Sequence, residues 1–296
     1  MRALRDMETI QVEITNACHN TCSNCTRLCG HHPSPYFMPL EEVKAALDTL
    51  INFPKIVGIM GGEPLLHPQF KEICEYMCTI LPKEHCGLWT CLPKGKEHYR
   101  EVIADTFGHI FINDHTREDI LHAPILVAAE EVPLPPSKKD YLISKCWVQE
   151  SWSASINPKG AWFCEVAAAL AMTLDIEGLG WKVENHWWAR SPQHFIEQMK
   201  MCHYCGCAMP LKRRASIDRV DDISPKMFER LKEISPKIIK GNYVISDMKI
   251  EEEDRQLATY KDSSYRDAIA KRYGMFLMLN DQGYQEPYLL RNWSSE

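Results

Sequence analysis

The stretch Thr15-Asn-Ala-Cys18-His-Asn-Thr-Cys22-Ser-Asn-Cys25 places three cysteines, spaced C-x3-C-x2-C, directly after the run Glu8 to Ile14. Polar and apolar residues alternate in that run, which predicts a strand, so the cysteines would lie in the loop that leaves its end. A closed [4Fe–4S] cluster takes four thiolates. Three thiolates would leave one iron without a protein ligand, and an open coordination position can bind a small molecule.

A second motif, Gly61-Gly62-Glu63-Pro64, follows a second predicted strand, Ile56 to Met60. Glycines let the backbone come close to a ligand, and a carboxylate suits an ammonium group. The two motifs, in this order and each after a strand, resemble those of the radical S-adenosylmethionine (radical SAM) enzymes. The resemblance implies that Cys18, Cys22 and Cys25 hold three irons of a [4Fe–4S] cluster, and that S-adenosylmethionine chelates the fourth.

The resemblance also implies contacts to S-adenosylmethionine. Gly61, Gly62, Glu63 and Pro64 would position the methionine amine, and Thr90, at the end of a third predicted strand, would contact the ribose. Asn24 stands where the family commonly has an aromatic residue near the adenine, so this part of the site departs from the family pattern. In the family, reductive cleavage yields a 5′-deoxyadenosyl radical that removes a hydrogen atom from the substrate.

Zinc is the alternative for the first cysteine set. It prefers four nitrogen or sulfur ligands, and the candidates for a fourth ligand are His19, Cys29, His31 and His32. The Gly61–Pro64 motif favours the cluster, because a zinc knuckle does not explain it. If Cys29 is not a ligand, it is predicted to be a packed thiol. Cys74, Cys78, Cys86 and Cys91 are likewise predicted to pack in the core.

A second cysteine set is predicted from Cys146, Cys164, Cys202 and Cys205. The first two bracket a predicted hairpin with the turn Asn157-Pro-Lys-Gly160, and the last two form a C-x2-C pair. Four thiolates make a closed site for zinc or for an iron–sulfur cluster. The layout resembles the Twitch domain, a shortened SPASM domain with one auxiliary [4Fe–4S] cluster, and is similar to that of 2-deoxy-scyllo-inosamine dehydrogenases. Cys207 could replace Cys205 as a ligand.

Predicted strands alternate with predicted helices along the first half of the chain. The strands are expected at 8–15, 56–60, 87–91, 109–113 and 125–129, and the helices at 40–51, 68–81 and 96–107. This alternation predicts an α/β fold with a parallel sheet, in which ligands bind at the C-terminal strand ends. With the resemblance, it predicts a partial (β/α)6 TIM-type barrel at residues 1–140, a Twitch-like domain at 141–215, and a helical C-terminal extension at 216–296. The proline-rich run 132–140 supplies the first boundary.

Composition excludes several classes of protein. The net charge of −6 and the pI near 6.1 argue against a surface that coats nucleic acid. No window approaches the eighteen apolar residues of a membrane span, and no apolar run follows the N-terminal charges as in a secretory signal. Thirteen cysteines, an odd number, then indicate metal ligation in a reduced cytoplasm rather than a disulfide framework.

The predicted reaction is oxidation of a small polar substrate, with electrons from a flavodoxin or ferredoxin. Hydrogen abstraction at a carbinol carbon leaves a radical that must lose a proton and an electron; a second cluster could accept the electron, and His115 or Glu130 the proton. Isomerisation or epimerisation of a sugar, nucleoside or ribosomal peptide is the alternative, with Cys29 or Cys207 as hydrogen donor. A first strand near residue 8 is expected to leave no room for a preceding peptide-binding domain. A non-catalytic iron–sulfur or zinc interaction protein would explain the cysteines but not Gly61–Pro64.

Overall fold

The computed structural model describes residues 1–113, 115, 118, 120–151, 153–251, 275–277 and 293. The strands are β1 Thr9–Thr15, β2 Ile56–Gly61, β3 Cys86–Thr90, β4 His109–Asn113, β5 Leu121–His122, β6 Ser153–Asn157, β7 Gly160–Trp162, β8 Arg214–Ala215, β9 Asp221–Ile223, β10 Tyr243–Ile245 and β11 Met275–Leu277. The α-helices are α1 Leu40–Asp48, α2 Phe70–Ile80, α3 Arg100–Thr106, α4 Pro136–Ser144, α5 Trp147–Ser151, α6 Glu165–Thr173, α7 Pro225–Leu231 and α8 Pro236–Ile239.

A central sheet of seven strands in the order β11-β4-β3-β2-β1-β6-β7 organises the fold. β1, β2, β3, β4 and β6 run parallel, whereas β7 pairs antiparallel with β6 and β11 antiparallel with β4. The predicted α/β class with a mostly parallel sheet is therefore confirmed. Because parallel strands point the same way, the loops after β1, β2 and β3 leave the sheet at one edge, and these loops carry the two motifs.

The two faces of the sheet differ in chemistry. On one face Ile10, Val12 and Val57 join the main apolar core with side chains of α1, α2 and α3. On the other, Met60, Trp89 and Phe111 form a separate buried cluster, with the Trp89 and Phe111 rings stacked at 4.0 Å. This alternation follows from the two-residue period of a strand. Gln11 and Glu13 are buried polar residues of β1, so the second face can support a polar site.

The predicted strand at residues 125–129 is wrong. Within the described residues, the one β-contact of this run is an isolated bridge between Leu126 and Ile223 of β9. Ile125 accepts from the Gly206 amide, and Leu126 accepts from the Ser224 amide. The place beside β4 is taken by β11. A buried apolar run has the same composition in a strand as in an irregular packed segment, which explains the error.

Other expected elements are present. The β6–β7 hairpin closes through Asn157 and Gly160 as predicted, and α7 begins with Pro225 after Ser224. Since β6 pairs with β1, the predicted boundary at residue 140 lies between strands of a single sheet, and the three domain limits stay predictions. Within the helical extension predicted at 216–296, the described residues contain α7 and α8 but also β9, β10 and β11. Residues 252–274, 278–292 and 294–296 of this extension lie outside the described residues. None of the helices in the described ranges is long and apolar enough to cross a membrane.

Candidate active site

A cleft lies where the loops after β1, β2 and β3 meet. Its lining includes the three cysteines of the first motif, the glycines and glutamate of the second, and the last residue of β3: Cys18, Cys22, Cys25, Gly61, Gly62, Glu63 and Thr90. The structure thus brings together, at the C-terminal strand ends, residues that are up to 72 positions apart in sequence. This is where ligands bind in parallel α/β sheets.

The thiols of the first cysteine loop influence one another. The Cys29 thiol donates a hydrogen bond to Cys25, and this bond is the main cause that lowers the pKa of Cys25 to about 6. Burial is the main cause that raises the pKa of Cys22, followed by the charges of Cys25 and Cys18. Cys29, predicted to be a packed thiol, is buried and also lines the cleft.

The donor set can be tested against the group that the motif implies. In the described part of the chain, no group of three or more His, Cys, Asp and Glu side chains could hold a metal ion. Each cysteine of a four-iron cluster binds a different iron atom. The cysteines therefore need to line one cavity, and they do not need to converge on a single metal ion. Cys18, Cys22 and Cys25 line one cleft, with space beside them for a further ligand. This arrangement fits a cluster held by three cysteines.

The glycines of the second motif are required by a close approach of two loops. A Cβ atom on Gly61 would clash with the Thr15 carbonyl oxygen, and one on Gly62 with the Ala17 carbonyl oxygen. The Gly62 amide donates to Thr15 O at 2.8 Å, and the Glu63 amide donates to Ala17 O at 2.7 Å. Since Ala17 precedes the first cysteine, these bonds hold the Glu63 turn at a set position relative to the cysteine loop.

The Glu63 carboxylate is 1% exposed and is held by four donors. Oε1 accepts from Thr90 Oγ1 at 2.7 Å and from the Leu65 amide at 3.1 Å. Oε2 accepts from the Cys91 amide at 2.9 Å and from Cys91 Sγ at 3.0 Å. Thr90 therefore orients Glu63. Cys91, predicted to pack in the core, lines the cleft, and burial followed by the Glu63 charge raises the pKa of its thiol.

Two of the predicted site residues lie away from the cleft. The Asn24 side chain donates to Asp222 Oδ2 at 2.8 Å and accepts from the Asp222 amide at 2.9 Å, so both of its polar atoms are bonded to the later segment. Glu130 is exposed, and its Oε1 accepts from Lys226 Nζ at 3.3 Å. Neither is among the residues that line the cleft.

The other predicted residues are placed differently. His115 lines the cleft, with its ring centroid 5.2 Å from that of His122. Pro64 is buried as the first residue of a short 3-10 helix behind Glu63. Among the cysteines predicted to pack in the core, Cys74 and Cys86 are buried, whereas Cys78 is exposed.

The sequence reasoning missed a buried ionic group at the cleft. Arg27, which is 2% exposed, donates from Nη2 to Glu165 Oε2 at 2.9 Å and from Nη1 to Glu13 Oε2 at 3.4 Å. Burial is the main cause that raises the pKa of Glu13. Arg27 and Glu165 both line the cleft. The sequence contained one signal for these residues, which is their position beside cysteines of the two sets. Arg27 lies between Cys25 and Cys29, and Glu165 follows Cys164.

The second cysteine set lines a separate, smaller cavity. Its members are Cys146, Cys164, Cys202, Cys205 and Cys207. Burial, followed by the charges of Cys205, Cys164 and Cys146, raises the pKa of Cys202. The Cys207 thiol instead bonds to Cys146 and Cys205, and it lines the cleft as well. Four thiols therefore converge on this cavity, and a fifth lies between it and the cleft.

Comparisons with known proteins agree with the first motif. Residues 12–125 match the model of the Radical SAM superfamily, so this part of the chain is a radical SAM domain. The match includes the first cysteine set and Glu63 but ends before the second set. No curated protein matches the chain. Among solved structures, the crystal structure of BtrN in complex with AdoMet and 2-DOIA matches with a TM-score of 0.44 and 14% identity, over 67% of this chain and 88% of that chain.

Proposed function

We propose that this protein is a radical SAM enzyme that oxidises a small polar substrate. Cys18, Cys22 and Cys25 would hold a [4Fe–4S] cluster, and S-adenosylmethionine would bind beside it in the cleft. The observation that carries the proposal is the meeting of the cysteine loop with Glu63 in one cleft inside the radical SAM domain. When bound, the cluster and S-adenosylmethionine supply a 5′-deoxyadenosyl radical, with the electron coming from a reduced flavodoxin or ferredoxin.

Glu63 is suited to hold the methionine ammonium. Its four donors fix the carboxylate, and the bond from its amide to Ala17 O ties it to the residue before Cys18. A ligand that contacts both the cysteine loop and Glu63 therefore binds to groups whose relative position is already fixed. A charge-assisted hydrogen bond of this kind contributes about 1.5–3 kcal/mol. Thr90 would act by orienting Glu63, in addition to the predicted ribose contact.

The second cysteine set supports oxidation as the reaction. Loss of a hydrogen atom from a carbinol carbon leaves a substrate radical that reaches the carbonyl level by losing one proton and one electron. Cys146, Cys164, Cys202 and Cys205 would hold a second [4Fe–4S] cluster, a closed one-electron acceptor. Cys207 lines both cavities, so the two sites are neighbours.

The proton acceptor is assigned to His115. It lines the cleft, whereas Glu130 is on the surface. Glu165 also lines the cleft, but its carboxylate forms a buried ion pair with Arg27. His115 is therefore the better placed base, and imidazole is the commonest general base near neutral pH.

One observation favours a second candidate function, radical isomerisation or epimerisation. Cys207 places a thiol in the lining of the cleft, and such a reaction ends by returning a hydrogen atom to the substrate radical. The two candidates differ in isotope content. In heavy water, an epimerisation leaves one solvent deuterium on the carbon attacked, and an oxidation leaves none.

The first test needs no substrate. Anaerobically reconstituted protein with S-adenosylmethionine and dithionite should form 5′-deoxyadenosine, measured by liquid chromatography. Glu63→Gln should slow its formation at low S-adenosylmethionine. Cys78→Ser, which changes an exposed thiol that lines neither cavity, should not. A protein that binds iron yet forms no 5′-deoxyadenosine would favour a non-catalytic iron–sulfur protein.

A further inference from the structure

Residues 214–245, here called the C-terminal clamp, bind the first cysteine loop through many hydrogen bonds. The Ser23 amide donates to Ser216 O at 2.9 Å, and the Val220 amide donates to Ser23 Oγ at 2.9 Å. Asn24 exchanges two hydrogen bonds with Asp222. The clamp lies outside the matched residues 12–125, so the radical SAM domain alone does not account for it.

A buried ion pair forms the centre of this contact. Asp221 is 1% exposed and Lys237 is 3% exposed, and Lys237 Nζ donates to Asp221 Oδ1 at 2.8 Å. Asp221 also bonds to the Asn24 amide and, at 2.8 Å, to His31 Nε2. Burying two charges is costly unless each is paired and hydrogen-bonded, and here both conditions are met.

The ammonium of this pair also contacts the cysteine loop directly. Lys237 Nζ donates to the carbonyl oxygen of Cys22 at 2.8 Å, and the Lys237 amide donates to Gly30 O at 3.2 Å. The buried ammonium therefore lies against the backbone of Cys22 itself, and the same lysine is fixed to the end of the loop at Gly30.

One role of this contact is structural, because it holds the cysteine loop in place. The position of the charges indicates an electrostatic role as well. A buried charge acts through a low effective dielectric, so it changes the energy of a neighbouring site when that site gains an electron. Net charge and hydrogen bonding around the cysteines are recognised determinants of the reduction potential of iron–sulfur clusters.

We propose that Lys237 and Asp221 set the reduction potential of the cluster held by Cys18, Cys22 and Cys25, with Lys237 raising it and Asp221 lowering it. The inference rests on the proposed function. Reduction adds one electron, from a reduced flavodoxin or ferredoxin, to this cluster. The added negative charge is stabilised by the ammonium and destabilised by the carboxylate. The two residues are positioning residues, since they act through the cluster loop and not on the substrate.

The experiment is a redox titration of the reconstituted protein at constant pH, followed by electron paramagnetic resonance. The first cluster is identified as the one whose signal changes when S-adenosylmethionine is added. Lys237→Met should shift its midpoint potential down, and Asp221→Asn should shift it up. The signal of the second cluster should stay in place in both variants.

Matched variants separate this role from a structural one. Lys237→Arg keeps the charge and should leave the potential near that of the wild type. Lys240→Met removes an exposed lysine just after α8 and should change nothing. A double variant, Lys237→Met with Asp221→Asn, should return toward the wild-type value, because both charges are gone.

Shifts in the same direction for Lys237→Met and Asp221→Asn, or no shift in either, would overturn the inference. If Lys237→Met does not hold the cluster, Asp221→Asn and Lys237→Arg still decide, because one removes a charge and the other preserves it. Failure of the proposed function is a different result. It appears as a wild-type protein without any signal that responds to S-adenosylmethionine.

Discussion

The two cysteine sets are built in opposite ways. Cys18, Cys22, Cys25 and Cys29 lie in one short loop, which is held by the Glu63 turn and by the C-terminal clamp. The second set draws on separate parts of the chain: Cys146 follows α4, Cys164 precedes α6, and three more lie in or after the 3-10 helix Gln198–Tyr204. The first set lines the larger of the two pockets, and the second set lines the smaller one.

This difference suggests a division of roles. A [4Fe–4S] cluster held by three cysteines keeps one iron for a small ligand, whereas one held by four cysteines is closed. It also suggests a difference in assembly. A local loop closes with little loss of chain entropy, while the second set needs most of the fold in place before its thiols meet. The following substitutions test that contrast.

The largest effect is expected from removing the first set. The triple variant Cys18→Ala, Cys22→Ala and Cys25→Ala should retain about four of about eight irons after reconstitution, because the second set has its own ligands. It should form no 5′-deoxyadenosine. Iron analysis and liquid chromatography measure both. Cys78→Ser is the control and should keep all the iron. Zinc in stoichiometric amount, with iron that stops near four in the wild type, would instead show that the second set is a zinc site.

The second prediction concerns the fourth ligand of the second set. The charge of Cys205 is among the causes that raise the pKa of Cys202 and of Cys164, whereas the Cys207 thiol bonds to Cys146 and Cys205 and also lines the cleft. Cys205→Ser should therefore lose about four irons, and Cys207→Ser should keep about eight, since a [4Fe–4S] cluster needs four thiolates. Cys207→Ser should still form 5′-deoxyadenosine. The opposite pattern of iron loss would make Cys207 the ligand and Cys205 the spare thiol.

A smaller effect is expected at Glu63. Glu63→Gln keeps the shape of the side chain but removes its charge and one of its two accepting oxygens. It should keep both clusters and weaken S-adenosylmethionine binding about 10- to 150-fold, as a charged hydrogen bond implies. Isothermal titration measures this. Glu72→Gln, an exposed glutamate on α2, is the control. Unchanged affinity in Glu63→Gln would mean that Gly61–Pro64 is only a turn. Thr90→Val should weaken binding less, because three donors still hold Glu63.

Local patterns were sufficient for much of this protein. Strands β1 to β4, the helices between them and the β6–β7 hairpin were predicted from periodicity and turn residues, and the structure confirms them. The spacing of cysteines identified both sets, whose members the structure brings to two cavities. Their roles as ligands stay predictions. The apolar run 125–129 was taken for a strand because composition does not show where its backbone bonds go.

Long-range contacts decided the rest. Asn24 is adjacent to Cys25 in sequence, yet its side chain bonds to Asp222, almost two hundred residues away. Arg27 and Glu165 meet because β6 pairs with β1 and places the start of α6 beside the cysteine loop. His115 and Glu130 were both predicted for the site because each lies near the end of a predicted strand. Of these two residues, only His115 lines the cleft.

The sequence by itself determined which chemistry is available: three cysteines in one loop, a Gly-Gly-Glu turn, and parallel strands that place both at one edge of a sheet. These features depend on residues a few positions apart, where spacing and hydrogen-bonding pattern are set by the backbone. Only the tertiary structure decided what surrounds them, including the ion pair of Lys237 and Asp221 beside Cys22 and the buried Arg27. Burying a charge is costly unless it is paired and hydrogen-bonded, and here the partners lie on separate elements that meet only when the chain packs.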